Sequence, residues 1–345
     1  MPRNLKCSPS KILVTLGLLS IVFLSGCASE APTWFLPAST NATLITNLAI
    51  AVFIIAALVF VVVETMLVIS VVRFSRKKIA GEPAQIEGNT RFEIAWTAAP
   101  AIVLLIVFIL SLQTLQSVAY TPAPDPSGTP SGNALHLRVV GHQWWWEFDY
   151  PELNITTADE LHVPVNTVVN FDLESADVIH SFWVPQLAGK TDVIPGHINH
   201  TWFKADQVGT FHGQCAEFCG EEHALMQFRV VVDTAEQFKT WVAEQQAPPP
   251  TMSGDAATGE QLFMTGACVG CHTVNNTKAQ GKVGPNLTHL ASRTYFAGDV
   301  FAVNSTNLTR WLSDPPAMKP GTIMPNLHLP QRNIEAIVAY LLSLK

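Results

Sequence analysis

Charge is scarce in this chain: only 14 % of its 345 residues are Asp, Glu, Lys or Arg, against 48 % hydrophobic. A composition so apolar excludes a disordered, self-repelling polymer. The mean hydropathy of +0.25 is high for a protein made only of water-soluble domains. Basic residues are outnumbered, 20 Lys and Arg against 27 Asp and Glu, which leaves a formal net charge of -7. No cationic surplus is therefore present to displace counterions from phosphates. With no arginine-rich or RNP-like stretch either, nucleic acid is not an expected partner. Cysteine is sparse too, and six such residues are too few for a disulfide scaffold of this length. Internal repeats and low-complexity tracts are absent. At about twice the usual domain size, the chain is expected to form two or more folded units.

What the sequence does contain is long apolar runs. Arg3, Lys6 and Lys11 precede one over 12–25, too short to cross a bilayer core of about 30 Å at roughly 1.5 Å per residue, so 1–26 reads as an export signal. It ends in Leu24-Ser25-Gly26-Cys27, similar to the bacterial lipobox, in which the cysteine becomes a lipidated first residue. The alternative is an ordinary cleaved signal that leaves Cys27 an unmodified thiol. Segments 44–72 and 95–119 are each long enough to span as a helix. Between them stand Arg73, Arg76, Lys77, Lys78 and Arg91, so the positive-inside rule puts this connection in the cytoplasm and both flanking chains outside, in agreement with a lipidated N-terminus.

The expected order after the signal is an external segment 27–43, a transmembrane hairpin 44–119 and a Pro/Gly-rich linker 120–133. A β domain follows over 134–246, announced by period-two stretches at 135–140 and 167–173 and closed by an amphipathic stretch at 235–245. Pro248-Pro249-Pro250 marks a second linker, 247–254, which would tether a helical domain over 255–345. Neither membrane segment contains histidine, so neither can ligate a haem iron or a copper through imidazole.

Two stretches carry the chemistry. Cys215, Cys219, His223 and Met226 fall within a dozen residues, a soft set of two thiols, an imidazole and a thioether that suits copper; His180 can complete it from another loop. A mononuclear blue-copper site needs one cysteine, so the second points to two coppers bridged by both sulfurs, an arrangement made for electron transfer. A disulfide or a zinc site are the other readings, and neither accounts for Met226. The second stretch, Cys268-Val269-Gly270-Cys271-His272, is the c-type haem attachment pattern, in which the thiols add to the haem vinyls and the histidine becomes the proximal ligand.

With these motifs the sequence resembles subunit II of the haem-copper cytochrome c oxidases from the first membrane helix to about residue 246. Gly141-His142-Gln143-Trp144-Trp145-Trp146 matches that family's aromatic segment, Gly189-Lys190-Thr191-Asp192 with Pro195-Gly196 its next signature, and Gly213-Gln214-Cys215 opens its copper loop. The resemblance implies a cupredoxin-like β-barrel holding a binuclear copper centre on Cys215, Cys219, His180, His223, Met226 and the main-chain carbonyl of Glu217. The Glu217 carboxylate would reach a magnesium or manganese ion at the boundary with subunit I. Trp144 would be where electrons enter and Glu93 the mouth of a proton channel; Trp145 and Trp146 read as core packing, and Glu64 as a subunit I contact of no assigned role. Quinol-oxidising relatives lack the copper ligands, all of which are present here.

The tail is similar to class I cytochromes c: Gly259 and Phe263 precede the attachment motif at the spacing of their first helix, Gly284-Pro285-Asn286-Leu287 matches the segment that braces the histidine, and a final helix carries Tyr340. Met324, in Gly321-Thr322-Ile323-Met324-Pro325, fits the pattern of the sixth iron ligand, with Met318 its rival; Met264 reads as core filling. Lipid anchor, hairpin, copper barrel and an all-α cytochrome in this order resemble the caa-type oxidases. The expected protein is thus a multidomain membrane protein, an electron-transfer subunit of a proton-translocating oxidase in the bacterial cell membrane, its copper and haem domains on the outer face. Electrons would come from cytochrome c or an upstream quinol-oxidising complex, pass from haem c to copper, and leave for subunit I, where oxygen is reduced. A nitric oxide reductase subunit or a copper-storage lipoprotein are the other classes; the partner subunit would separate the first, and the haem motif speaks against the second.

Overall fold

The computed structural model describes residues 32–74, 87–119 and 134–345. The export signal, Cys27, Arg76, Lys77, Lys78 and the linker 120–133 lie outside the described residues. Two long helices come first, α1 (Thr40–Phe74) and α2 (Thr90–Ala119), of 35 and 30 residues. At roughly 1.5 Å per residue each exceeds the hydrocarbon thickness of a bilayer. Their large apolar side chains, Phe53, Leu58, Phe60 and Leu67 on α1 and Leu104, Leu105 and Phe108 on α2, are exposed. Only lipid or protein partners can cover such a surface.

The outer ends of both helices are fastened to the β domain. Ser39 bridges Ala205, the Asn41 amide donates to the Trp202 carbonyl at 2.9 Å, and the Trp202 indole donates to the Val118 carbonyl at 3.0 Å.

The β domain contains β1 (Leu135–His142), β2 (Trp145–Tyr150), β3 (Ile155–Ala158), β4 (Glu160–Pro164), β5 (Val168–Ser175), β6 (His180–Trp183), β7 (Thr191–Val193), β8 (Asn199–Lys204), β9 (Gly209–Cys215) and β10 (Gln227–Asp233). They form two five-stranded sheets, ordered β3-β2-β1-β5-β8 and β4-β10-β9-β6-β7. Along β5 the residues alternate strictly, with Val169, Phe171, Leu173 and Ser175 inward, as a strand with one buried face requires. Trp146, Phe148, Phe171, Phe182, Phe203 and Phe228 fill the core between the sheets. Truncating such an aromatic to alanine costs about 3–5 kcal/mol. Helix α3 (Ala235–Gln245) closes one end, started by a reciprocal Thr234–Gln237 capping box, with Trp241 stacked on His162 at 4.6 Å.

The tail holds α4 (Gly254–Thr265), α5 (Ser305–Ser313), the single turn α6 (Pro315–Met318) and α7 (Gln331–Leu341). Helices α4 and α7 cross at Gly259, where any Cβ would collide with the Ala336 carbonyl, and Phe263 packs on Tyr340 at 5.5 Å. The expectation of an all-helical tail needs one amendment. A two-stranded ribbon, β11 (Tyr295–Phe296) with β12 (Phe301–Ala302), interrupts it. Its turn runs through Ala297, Gly298 and Asp299, all with positive φ (58°, 75° and 62°), and projects into the β domain.

Candidate metal centre and haem cavity

Strands β6, β9 and β10 lie side by side, and their ends bring the copper candidates together. Cys215 ends β9 opposite Phe182 of β6, while its amide donates to the Met226 carbonyl at 2.9 Å and so holds Met226 alongside it. His180 opens β6 and is fully buried. The loop between Cys215 and Met226 returns through a 3-10 turn at His223–Leu225. Gly220 in this loop has φ +119°, and a Cβ there would lie 2.9 Å from the Trp144 ring, so no side chain fits.

The donor atoms converge. The two sulfurs of Cys215 and Cys219 are 3.8 Å apart and both are free thiols. His180 Nδ1 lies 3.9 Å from Cys215 Sγ, His223 Nδ1 3.6 Å from Cys219 Sγ, and Met226 Sδ 3.8 Å from Cys219 Sγ. The Glu217 carbonyl oxygen is 3.2 Å from Cys215 Sγ. Four donors, two imidazole nitrogens, a thioether and one carbonyl oxygen, surround the two central thiol sulfurs, with no carboxylate among them, and the largely soft set fits copper.

Electrostatics prepare the site for a cation. A hydrogen bond from Cys219 lowers the Cys215 thiol pKa most; burial opposes it, and hydrogen bonds with His180 and with the backbone at Glu217 and Ser181 lower it further, whereas the same sharing pushes Cys219 up. His180 Nε2 faces Asp177 Oδ1 at 2.8 Å, which turns Nδ1 toward the sulfurs. Burial opposes the Asp177 carboxylate, but hydrogen bonds from His180 and from the amides of Gln143 and Val178 outweigh it and hold its pKa below the usual range.

The tail encloses an apolar cavity lined by Cys268, Cys271, His272 and Met324 together with Phe263, Leu287, Leu290, Leu312, Ile337 and Leu341. The two cysteines sit on and just after a 3-10 turn that follows α4. His272 Nδ1 lies 2.9 Å from the Pro285 carbonyl, which leaves Nε2 for a metal, and burial holds the imidazole below its usual pKa and hence neutral. Trp311 Nε1 donates to Met324 Sδ at 3.1 Å. Met318 is not among the residues lining the cavity. Two free thiols beside a histidine with one open nitrogen and a facing thioether, in an apolar slot, fit a covalently held haem.

Trp144 lies between the two places. Its indole donates to the Cys219 carbonyl at 3.0 Å, and Gln143 Nε2 reaches the same oxygen at 2.7 Å. Its other surroundings include the haem cavity, which Gln143 and Trp144 help to line. Trp146 is fully buried against Phe182 and Phe228, and Trp145 stacks on His142 at 4.1 Å, both in packing positions. Glu93 stands exposed in the first turn of α2, remote in sequence from both centres, and Glu64 is exposed on α1. The Glu217 side chain is exposed.

Sequence reasoning missed several residues. Asp177 orients His180, Trp311 holds Met324, and Lys319 and Arg229 make buried ion pairs with Glu222 and Asp299 at 2.9 and 2.6 Å. Only Asp177 carries a local signal, three residues before the histidine it serves.

Three family models match this chain: the transmembrane domain of cytochrome c oxidase subunit II over 33–114, its periplasmic domain over 154–234, and cytochrome c over 256–345. Cytochrome c oxidase subunit 2 of Alkalihalophilus pseudofirmus is 38% identical over 94% of this chain and 94% of that protein. The subunit 2 of Bacillus subtilis is 35% identical over 97% of this chain and 98% of its own length. Quinol oxidase subunit 2 of the same organism is 32% identical over 70% of this chain and 75% of that protein.

Proposed function

The chain belongs to the cytochrome c oxidase subunit 2 family, and from that premise we propose which of its residues hold each cofactor and pass the electron. It is an electron-transfer subunit of a haem-copper oxidase, a respiratory oxidoreductase complex, and a membrane protein with an external domain that works with other subunits of that complex. Its periplasmic-type domain carries copper and its cytochrome domain carries haem.

In our reading the copper is a pair, held by His180, Cys215, Cys219, His223, Met226 and the Glu217 carbonyl. One haem would be held through Cys268 and Cys271, with His272 and Met324 offering their nitrogen and sulfur to its iron. When bound, these groups supply one-electron redox chemistry, haem toward copper and copper toward subunit I. The protein's own part is positional. Asp177 fixes the His180 ring, the Pro285 carbonyl fixes His272, and the Trp311 indole fixes Met324. The buried β scaffold keeps ligand positions constant, which keeps reorganisation on electron transfer small. Trp144 would bridge the cavity wall to the copper loop, its indole hydrogen-bonded to the Cys219 carbonyl and so placed to couple the two centres without itself being reduced.

At the membrane, Glu93 serves at the cytoplasmic mouth of a proton path and the Glu217 carboxylate helps bind a magnesium or manganese ion shared with subunit I. The complex sits in the bacterial inner membrane with Cys27 as its lipid-bearing residue. The donor is cytochrome c or a quinol-oxidising complex, and the full copper ligand set favours the cytochrome c route over direct quinol oxidation.

One observation carries this reading: four further donors converge on two thiol sulfurs 3.8 Å apart, next to a tryptophan that also lines the haem cavity. The full chain, purified from membranes without subunit I, should hold two coppers and show the hyperfine pattern of one electron shared between them. One copper per chain, with the simpler pattern of a single ion, would overturn the assignment.

A further inference from the structure

Lys319 occupies an unusual place. It sits five residues before Met324, yet its ammonium pairs with Glu222 at 2.9 Å and donates to the Trp144 carbonyl at 3.3 Å. Glu222 immediately precedes the copper candidate His223. One side chain therefore joins the loop of the sixth haem ligand, the loop of the copper ligands and the peptide of the tryptophan between them. Its pair is almost wholly out of water, with side-chain exposures of 3 % and 1 %.

A second pair supports the first. Arg229 of β10 grips Asp299 of the ribbon turn through two bonds of 2.6 and 2.9 Å, with exposures of 10 % and 3 %. In the same turn the Gly298 amide donates to Asp159 at 2.8 Å, and its carbonyl accepts from the Gln227 amide at 3.1 Å. Charges that dock and release transiently stay solvated at a rim, where each is worth little. Charges buried in pairs are costly to separate, because each leaves an unpaired ion behind.

We infer that the cytochrome domain is locked onto the copper domain rather than swinging on its proline linker, and that Lys319 is the positioning residue that aligns the haem cavity with Trp144. This rests on the haem and copper reading given above. The step it serves is a single electron transfer: ferrous haem becomes ferric, the oxidised copper pair takes up the electron, and no proton or bond is exchanged.

The test uses the purified oxidase, with haem-to-copper transfer followed after rapid haem reduction. In the unaltered protein the rate should be indifferent to viscosity and to ionic strength, and the amides of Gly298 and Gln227 should exchange slowly with deuterium. Lengthening the linker by a Gly-Ser insertion after Pro250 should leave the rate unchanged, since a docked domain does not depend on effective concentration. Lys319→Met should keep the haem band and the copper signal, slow the transfer about 10-fold or more by breaking a buried pair, make it viscosity-dependent and expose both amides. Lys319→Arg should restore most of the rate. A Lys319→Met protein with unaltered rate and exchange overturns the inference, and so does a linker insertion that slows transfer. Should Lys319→Met fail to assemble, the linker insertion and the viscosity dependence of the unaltered protein decide alone. Absence of the haem band or copper signal from the unaltered protein would instead refute the reading underneath.

Discussion

The carboxylate of Asp177 acts on the proposed copper ligands through the ring of His180, whose Nε2 it faces at 2.8 Å. Removing it frees the ring to rotate and to present the wrong nitrogen. Asp177→Ala should weaken copper binding by about 10- to 100-fold, measured by competition with a chelator; unchanged affinity would mean that packing alone holds the imidazole. A different histidine reports on pH. His162 lies 2.7 Å from Asp233 and 3.5 Å from Glu160. Burial opposes its charge, but hydrogen bonds and attraction from both carboxylates outweigh it and raise its pKa above the ordinary 6.5. A raised value means that the folded state favours the proton. The resulting stabilisation is complete below the ordinary pKa and fades as pH climbs through the folded one. His162→Gln should therefore cost on the order of 1 kcal/mol at pH 6 and much less at pH 9. Melting followed by circular dichroism at both pH values checks this, and an equal loss at each would assign the effect to the stacked Trp241 instead.

Helices α4 and α7 illustrate how an element can be legible while its reason is not. The spacing of Gly259 and Phe263 announces a helix before the attachment motif, but why position 259 must be glycine emerges only from the crossing, where the Ala336 carbonyl occupies the space of a Cβ. Gly259→Ala should destabilise the cytochrome domain by about 1–3 kcal/mol, the usual cost of overpacking. The thioether-to-iron absorption band would be lost at lower temperature while the copper signal melts as before; parallel shifts of both would contradict the local assignment. The same division runs through the molecule. Strands β1 and β5 could be read from period-two alternation at 135–140 and 167–173, helix α3 from its amphipathic pattern and stop at the prolines, and the copper loop from four soft ligands in a dozen residues, because each signal is local. The ribbon β11–β12 escaped notice since two-residue strands have no period to detect. Arg229 and Asp299 are 70 residues apart, and Lys319 is 175 from the Trp144 carbonyl it binds. A pairing across such distances has no signature in a single sequence.

At the scale of the whole chain, two fastenings, one on either side of the copper barrel, line up the proposed redox path with the membrane. Asn41 and Trp202 secure the helical hairpin to β8, the barrel carries the copper loop, and the ribbon turn with Lys319 secures the haem cavity over Trp144. This order fixes where an external donor can deliver its electron. Trp144 faces the cavity lined by the cytochrome domain, so on the proposed reading a soluble cytochrome c is expected to meet the haem and not the tryptophan. The chain's net charge of -7 favours a basic donor by long-range attraction, which salt screens beyond a Debye length of about 8–10 Å. The internal contact is buried and escapes that screening. Mixing the oxidase with reduced cytochrome c should thus give two phases: haem reduction that is second order and slows as salt is raised, then copper reduction that is first order and does not. Stopped-flow records at the haem and copper bands over a range of donor and salt concentrations separate them. A copper phase that precedes the haem phase, or whose rate grows with donor concentration, would mean that donors reach Trp144 directly and that the cytochrome domain does not stand in their way.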